Sequence, residues 1–420
     1  MTDRRDEVRC RRSRTDHRAG AGVGLHGGGI MALATLYDAG AMGDGVVPFR
    51  IDVPEADIED LRDRLRRTRW PDAETVDDWS QGTPLAYARD LCQYWLDEYD
   101  WAKAQARVNR FPQFRTMIDG LDIHFVHVRS SHDGAVPLVM THGWPGSVVE
   151  FGKVIEPLTD PVAFGGSAGD AFDVVCPTLP GFGFSGKPAR PGWATQRIAD
   201  AWDQLMARLG YARYGAQGGD WGSQVTTALS VQHPEHLIGI HLNMVFAFPD
   251  PGNAGELTER EREALAALDD HRRWGSGYAV EQSTRPQSLG YGLVDSPAGL
   301  LGWIVEKFWA WSDCDGDPAN AFTRDEILDN IMLYWLPGTG ASAARLYWES
   351  FGKRLRDPVC VPAGASIFPK EIYRPSRRWA EQQFRDLRYW NELDKGGHFA
   401  ALEQPATFVE EVRAAFRLFR

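Results

Sequence analysis

The sequence predicts an α/β protein: a mostly parallel sheet with helices on both faces, an inserted helical cap and an N-terminal helical lobe. Three observations predict it. Short apolar runs alternate with amphipathic helical stretches through most of the chain, as parallel strands joined by crossover helices do. Between the run Tyr214 to Gln217 and the helical stretch Ser223 to Gln232 stands Gly218-Gly219-Asp220-Trp221-Gly222, one reactive side chain on a glycine-flanked turn. The alternation then breaks from about Phe246 to Arg356, where the sequence becomes helical and rich in aromatic residues.

Residues 1 to about 44 are Arg-rich, then Gly-rich, and are expected to be disordered, with Met31 or Met42 as an alternative first residue. They lack the continuous apolar core of a secretory signal, and Asp3, Asp6, Glu7 and Asp16 count against a transit peptide. The lobe is assigned to residues 45–115. Val53-Pro54-Glu55 opens a helix with Pro and acid in its first turn, and Ile58, Leu61 and Leu65 continue it at helical spacing to about Arg69. Pro71 stops it. A second helix is expected from Thr83-Pro84 to Tyr99, with Leu91, Cys92 and Trp95 on its buried face.

The first part of the core is assigned to residues 116–245. Leu121 to Val128 alternates apolar and polar residues, as a half-exposed strand does. His124 and His127 share no strand face, so no metal site is expected there. Val136 to Met140 reads as a buried parallel strand, followed by His142-Gly143-Trp144-Pro145-Gly146-Ser147 and a helix to about Leu158. Phe172 to Cys176 is the next strand. Trp193 to Leu209 is an amphipathic helix leading to the glycine-flanked turn, and Ile238 to Leu242 is the strand after it. The cap is assigned to residues 246–356, and its Trp303, Trp309 and Trp348 are expected to line the substrate cavity. The core resumes over residues 357–420. Strands are expected at Val359 to Ala363 and near Leu387 to Trp390, then Gly396-Gly397-His398 and a closing helix from Pro405 to Phe419.

Composition excludes several classes. The 420 residues, 43% apolar and 25% charged, suit a globular enzyme of one large domain or a core with an added lobe. The net charge of −12 argues against nucleic acid or an anionic membrane as partner. No apolar run approaches the roughly 20 residues that span a bilayer, so no membrane anchor is expected. Five scattered cysteines fit a reducing compartment, and a cytoplasmic protein is expected. A homo-oligomer is compatible with the sequence.

Asp220 decides the chemistry. Such a turn most often carries Ser, whose alkoxide attacks an acyl carbon. A carboxylate attacks an sp³ carbon bearing a leaving group, forming an alkyl ester that water must then cleave. His398, after the last strand, completes the nucleophile–acid–His order of α/β-hydrolases and is the candidate base. A buried carboxylate should orient its imidazole. Glu371, after the penultimate strand, is chosen; Asp250 is the rival position, and Asp394 reads as a loop residue. Ester hydrolysis creates an oxyanion, for which the backbone N–H groups of Trp144 and Trp221 are the candidates. His142 reads as a structural hydrogen-bonding residue.

The chain resembles the epoxide hydrolases of the microsomal type from about Val47 to its C-terminus. Thr68-Arg69-Trp70-Pro71 and Asn109-Arg110-Phe111-Pro112-Gln113-Phe114 resemble that family's N-terminal lobe. The His142 to Ser147, Gly218 to Gly222 and Gly396-Gly397-His398-Phe399-Ala400-Ala401 stretches resemble its three catalytic loops, and Phe368-Pro369-Lys370-Glu371 resembles the segment carrying its acid. The resemblance implies two cap tyrosines that hold and protonate the epoxide oxygen. Tyr278, before Gln282-Ser283-Thr284-Arg285-Pro286, and Tyr347, in Arg345-Leu346-Tyr347-Trp348-Glu349, match them. It further implies a small hydrophobic epoxide and water as the reactants, no cofactor and no metal, and roles such as detoxification or secondary metabolism. A haloalkane dehalogenase shares the Asp-Trp step but binds its halide with N–H donors and not with a tyrosine pair. A non-catalytic binding scaffold has no chemical need for Asp220, Glu371 and His398 together.

Overall fold

The computed structural model describes residues 45–249, 255–353 and 355–420. The expected disorder of residues 1–44 and the rival acid Asp250 lie outside the described residues.

The strands are β1 (Val47–Phe49), β2 (Gln113–Ile118), β3 (Leu121–Val128), β4 (Val136–Thr141), β5 (Phe172–Pro177), β6 (Tyr214–Gly218), β7 (Leu237–Leu242), β8 (Val359–Ile367) and β9 (Phe384–Glu392). Among the described residues they form one sheet in the order β1-β2-β3-β5-β4-β6-β7-β8-β9. From β5 to β9 all pairings are parallel; β1, β2 and β3 add an antiparallel edge. This is the α/β-hydrolase architecture that the alternation predicted. The central strands are buried on both faces, which is why β4 and β6 carry almost no polar side chains.

Helices α1 (Glu55–Arg66), α2 (Leu85–Asp97) and α3 (Trp101–Val108) precede β2. Ile58, Leu61 and Leu65 of α1 and Leu91, Cys92 and Trp95 of α2 form the buried faces, as their spacing predicted. The periodicity passed over β1, β2 and α3. The first is three residues long, and β2 buries Gln113, Arg115 and Thr116, which break the apolar signal.

The core helices are α4 (Ile155–Thr159), α5 (Thr195–Arg208) and α6 (Asp220–Gln232). The helix expected after Ser147 is a 3₁₀ segment, Val148–Lys153, followed by the short α4. Between β7 and β8 lie the cap helices α7 (Glu259–Asp270), α8 (Gly277–Thr284), α9 (Pro286–Asp295), α10 (Pro297–Trp311), α11 (Arg324–Trp335) and α12 (Gly340–Ser350). The chain then adds α13 (Arg377–Gln383), α14 (Ala400–Glu403) and the closing α15 (Pro405–Arg417). Capping boxes start α7 at Thr258 and Glu261 and α11 at Thr323 and Glu326. The lobe is tied to α11: the Tyr99 hydroxyl donates to Asp329 at 2.8 Å, and Arg107 pairs with the same carboxylate at 2.8 Å.

Sheet order places the site. Strand β5 lies on one side of β4 and β6 on the other, so the chain reverses direction across β4. Ligands bind at the carboxyl ends of strands flanking such a switch point. Thr141 at the end of β4 is in register with Gly218 at the end of β6, so the loops that follow meet.

Candidate active site

Asp220 is the first residue of α6, with φ at 49°. That left-handed conformation costs a non-glycine residue roughly 1–3 kcal/mol, and Asp tolerates it better than most. The glycines around it answer to close packing. A Cβ on Gly222 would lie 1.9 Å from the Thr141 carbonyl oxygen, and one on Gly143 would lie 2.1 Å from Asp220 Oδ1. The tight turn therefore brings the β4 loop against the carboxylate. The Trp144 N–H donates to Asp220 Oδ1 at 2.8 Å, and the Trp221 N–H also donates to this carboxylate. Burial pushes the Asp220 carboxyl up; His398 and the two N–H groups pull it back.

His398 Nδ1 lies 2.7 Å from Glu371 Oε1, and its Nε2 lies 3.6 Å from Asp220 Oδ2. Strands β8 and β9 position the pair. The loops after them are stitched together by a parallel bridge between Lys370 and Gly397, with the Lys370 N–H donating to the Gly396 carbonyl at 3.1 Å. Burial lowers the His398 pKa, but Glu371, then Asp220 and Glu150, outweigh it and raise it to about 9. Asp394 is exposed. Glu371 also accepts from the Ile372 N–H at 2.7 Å.

The cap closes the other side. Tyr278 on α8 and Tyr347 on α12 are buried and line one cavity with Asp220 and Trp221. The Tyr278 ring stacks on Trp144 with centroids 4.9 Å apart, and Tyr347 meets Trp221 edge to face at 4.8 Å. Burial, and then the charge of Asp220, pushes the Tyr278 phenol far above its ordinary range; Tyr347 is raised likewise. The cavity has a volume of about 980 Å³ and is lined largely by apolar groups such as Met244, Phe246 and Leu268.

The cavity wall departs from expectation in its tryptophans: Trp303, Trp309 and Trp348 do not line it. Trp303 donates to Gln282, Trp309 stacks on Trp79 with centroids 5.1 Å apart, and Trp348 is 50% exposed. Adjacent helical residues point about 100° apart, so a buried Tyr347 turns Trp348 outward. The tryptophans that line the cavity are Trp221 and Trp379 instead, while Trp144 and Trp311 pack against the Tyr278 ring.

Several neighbours escaped the sequence reading. The His398 N–H donates to the Trp311 carbonyl at 2.8 Å, so the end of α10 holds the histidine loop. Asn330 donates to the Pro145 carbonyl at 2.7 Å, and the Tyr334 hydroxyl donates to the Gly146 carbonyl at 2.7 Å, so α11 holds the Trp144 loop. Lys307 is buried with its ammonium 4.5 Å from the Tyr278 ring centroid. Glu150, in the 3₁₀ segment after Ser147, lies beside Asp220 and His398. Its Ser-x-x-Glu pattern reads in sequence as a helix cap, which hides the proximity. His142 has both ring nitrogens engaged, by Gly143 and Leu179. His124 and His127 bond separately, to Thr178 and Gln113 and to Tyr211. Among the described residues only Asp203, His233 and His236 group as metal ligands could, and none lines the cavity.

Two family profiles match the chain: Epoxide hydrolase N terminus over residues 46–151, and alpha/beta hydrolase fold over residues 136–273. A protein of Stigmatella aurantiaca (strain DW4/3-1), named "Putative epoxide hydrolase", is 54% identical over 377 residues, which is 90% of this chain and 86% of that protein. Epoxide hydrolase 1 of Sus scrofa is 35% identical over 405 residues, 89% of each chain. The crystal structure of juvenile hormone epoxide hydrolase from Bombyx mori superposes with a TM-score of 0.83 at 32% identity, covering 90% of this chain and 96% of that one. The Aspergillus niger epoxide hydrolase superposes at 0.80 and 32% identity, covering 93% and 100%. The chain therefore belongs to the epoxide hydrolase family, and is an α/β-hydrolase-fold epoxide hydrolase related to the microsomal enzymes.

Proposed function

We propose that the enzyme opens a hydrophobic epoxide through a covalent ester on Asp220. The carboxylate attacks the less hindered or more polarised ring carbon, while Tyr278 and Tyr347 hold the ring oxygen and protonate it as the C–O bond breaks. Water activated by His398, which Glu371 orients, attacks the ester carbonyl. The oxyanion is received by the Trp144 and Trp221 N–H groups, and a vicinal diol leaves. The observation that carries this reading is one carboxylate with two backbone N–H donors on it, an imidazole 3.6 Å away and two buried phenols in the same cavity. A phenol pair matches an alkoxide leaving group, which needs a proton, better than a halide, which does not. No cofactor enters the scheme.

The test is a single turnover of styrene oxide in H₂¹⁸O. The expected result is diol without ¹⁸O and one ¹⁸O in the Asp220 carboxylate, because the diol departs with the original carboxylate oxygen. Label in the diol and none in Asp220 would mean direct attack by water.

The tyrosines give a second expectation. Tyr278→Phe and Tyr347→Phe each slow ester formation about tenfold, and the double variant slows it roughly 10³-fold, since one phenol partly covers for the other. Rapid-quench measurement of ester formation checks this; equal slowing of ester hydrolysis would count against the assignment.

The two steps should also differ in pH dependence. Ester formation needs Asp220 ionised and a tyrosine protonated. Its rate rises with pH through the elevated Asp220 pKa and then stays level, because both phenols are held above their usual range. Ester hydrolysis needs neutral His398. A raised imidazole pKa keeps the cation to higher pH, so this rate climbs as pH increases toward about 9. Esterification removes the charge of Asp220, one of the groups raising His398, so the midpoint falls below that of the free enzyme. Glu371→Gln should move the midpoint lower still. Stopped-flow rates for each step across pH check both signs.

A further inference from the structure

Two voids meet at Asp220. One is the large cavity, which Tyr278 and Tyr347 line and His398 does not. The other has a volume of about 20 Å³ and is lined by Asp220, His398, Glu150, Asn243, Gly146 and Phe399 among others, with neither tyrosine. A volume of roughly 10–15 Å³ already admits one water, provided polar partners surround it. The molecule thus separates a substrate side of the nucleophile from a small polar side that contains the base.

Glu150 is the one carboxyl of this small pocket that the scheme above leaves unused. Its side chain lies against Gly146, where a Cβ would sit 1.3 Å from Glu150 Oε1, so the glycine keeps space for it. Burial pushes its carboxyl up to about 8; His398 opposes the shift and Asp220 adds to it. A carboxyl placed only to cap the turn after Ser147 belongs in solvent. Here it is placed beside a second carboxylate, at a cost in free energy that a structural cap does not require.

We infer that Glu150, together with His398, holds the water that hydrolyses the ester. This rests on the ester reading. The water oxygen, hydrogen-bonded to the Glu150 carboxyl, attacks Cγ of the esterified Asp220 and gives its proton to His398 Nε2. The bond from Cγ to the alkyl oxygen then breaks, and the departing alkoxide takes the proton back from the imidazolium. Approach from the small pocket meets the carboxyl carbon from the side away from the bound alkyl group.

The experiment resolves the two steps with styrene oxide in wild type, Glu150→Ala and Glu150→Gln. Quenched-flow mass analysis follows the ester on Asp220, and product formation follows its loss. Glu150→Ala is expected to slow ester hydrolysis roughly 10- to 100-fold while ester formation changes less than about threefold, so that the ester accumulates and kcat and KM fall together. Glu150→Gln, which keeps the cap and the hydrogen bond, is expected to restore most of the rate. If the alanine variant does not fold, Glu150→Asp, which withdraws the carboxyl by one methylene, should show the same separation of steps. Unchanged hydrolysis, or equal slowing of both steps, overturns the role of Glu150. Failure of wild type to form any ester overturns the underlying scheme instead, so the two failures are distinguishable.

Discussion

Asp220→Ala lowers kcat/KM for an aryl epoxide by roughly 10⁴- to 10⁶-fold, the largest loss expected from any single change in the protein. The reason is geometric as well as chemical. The Trp144 and Trp221 N–H groups fix the carboxylate, and the cavity with its two phenols opens on it. Without the side chain, no nucleophile is presented to the cavity, and the imidazole, which approaches Asp220, does not line that cavity. The desolvation that raises the Asp220 pKa also belongs to this argument. A carboxylate stripped of water is a stronger nucleophile, while His398 and the two N–H donors favour its ionised form. The check has two parts: steady-state diol production, and the mass of acid-quenched enzyme. The variant should show neither turnover nor adduct while melting as a folded protein. An alanine variant within tenfold of wild type would remove Asp220 from the mechanism.

Much of this site is legible in the chain because its determinants are local. The turn at Asp220 needs small residues on both sides, and Gly218, Gly219 and Gly222 are contiguous with it. The central strands announce themselves as short apolar runs, and their order of occurrence fixes where His398 and Glu371 fall. What stayed illegible depends on contacts between distant segments. Nothing near Trp311 says that its carbonyl holds His398, and nothing near Asn330 says that it braces Pro145. The phase of a helix decides which tryptophan faces the cavity. A row of aromatics at positions 303, 309 and 348 gives no phase by itself, and all three point elsewhere. Glu150 is hidden differently: it stands in a Ser-x-x-Glu pattern that a helix cap accounts for locally, so the sequence alone does not point from it to the site.

His398→Gln is expected to arrest the reaction at the ester. Ester formation should stay within about tenfold of wild type, while hydrolysis slows roughly 10³- to 10⁴-fold. Glutamine is the informative replacement because Glu371 is buried, one of its oxygens already lacks a partner, and an apolar residue would leave the other with only the Ile372 N–H. In the proposed scheme the histidine is not required for the first step, where the Asp220 carboxylate attacks and the cap phenols supply the proton to the opening ring. The scheme requires it for the second, where neutral water is too poor a nucleophile to attack an ester without losing a proton. Mixing the variant with one equivalent of styrene oxide should therefore produce a stable adduct, enzyme plus substrate in mass, mapped to the peptide containing Asp220, with diol appearing only slowly. Glu371→Gln should accumulate the same adduct more weakly, since the imidazole keeps its chemistry but loses the charge that orients it. Loss of both steps together in His398→Gln would mean that the histidine acts before the ester exists, as a base for direct hydration, and the division of labour between the two sides of Asp220 would have to be abandoned.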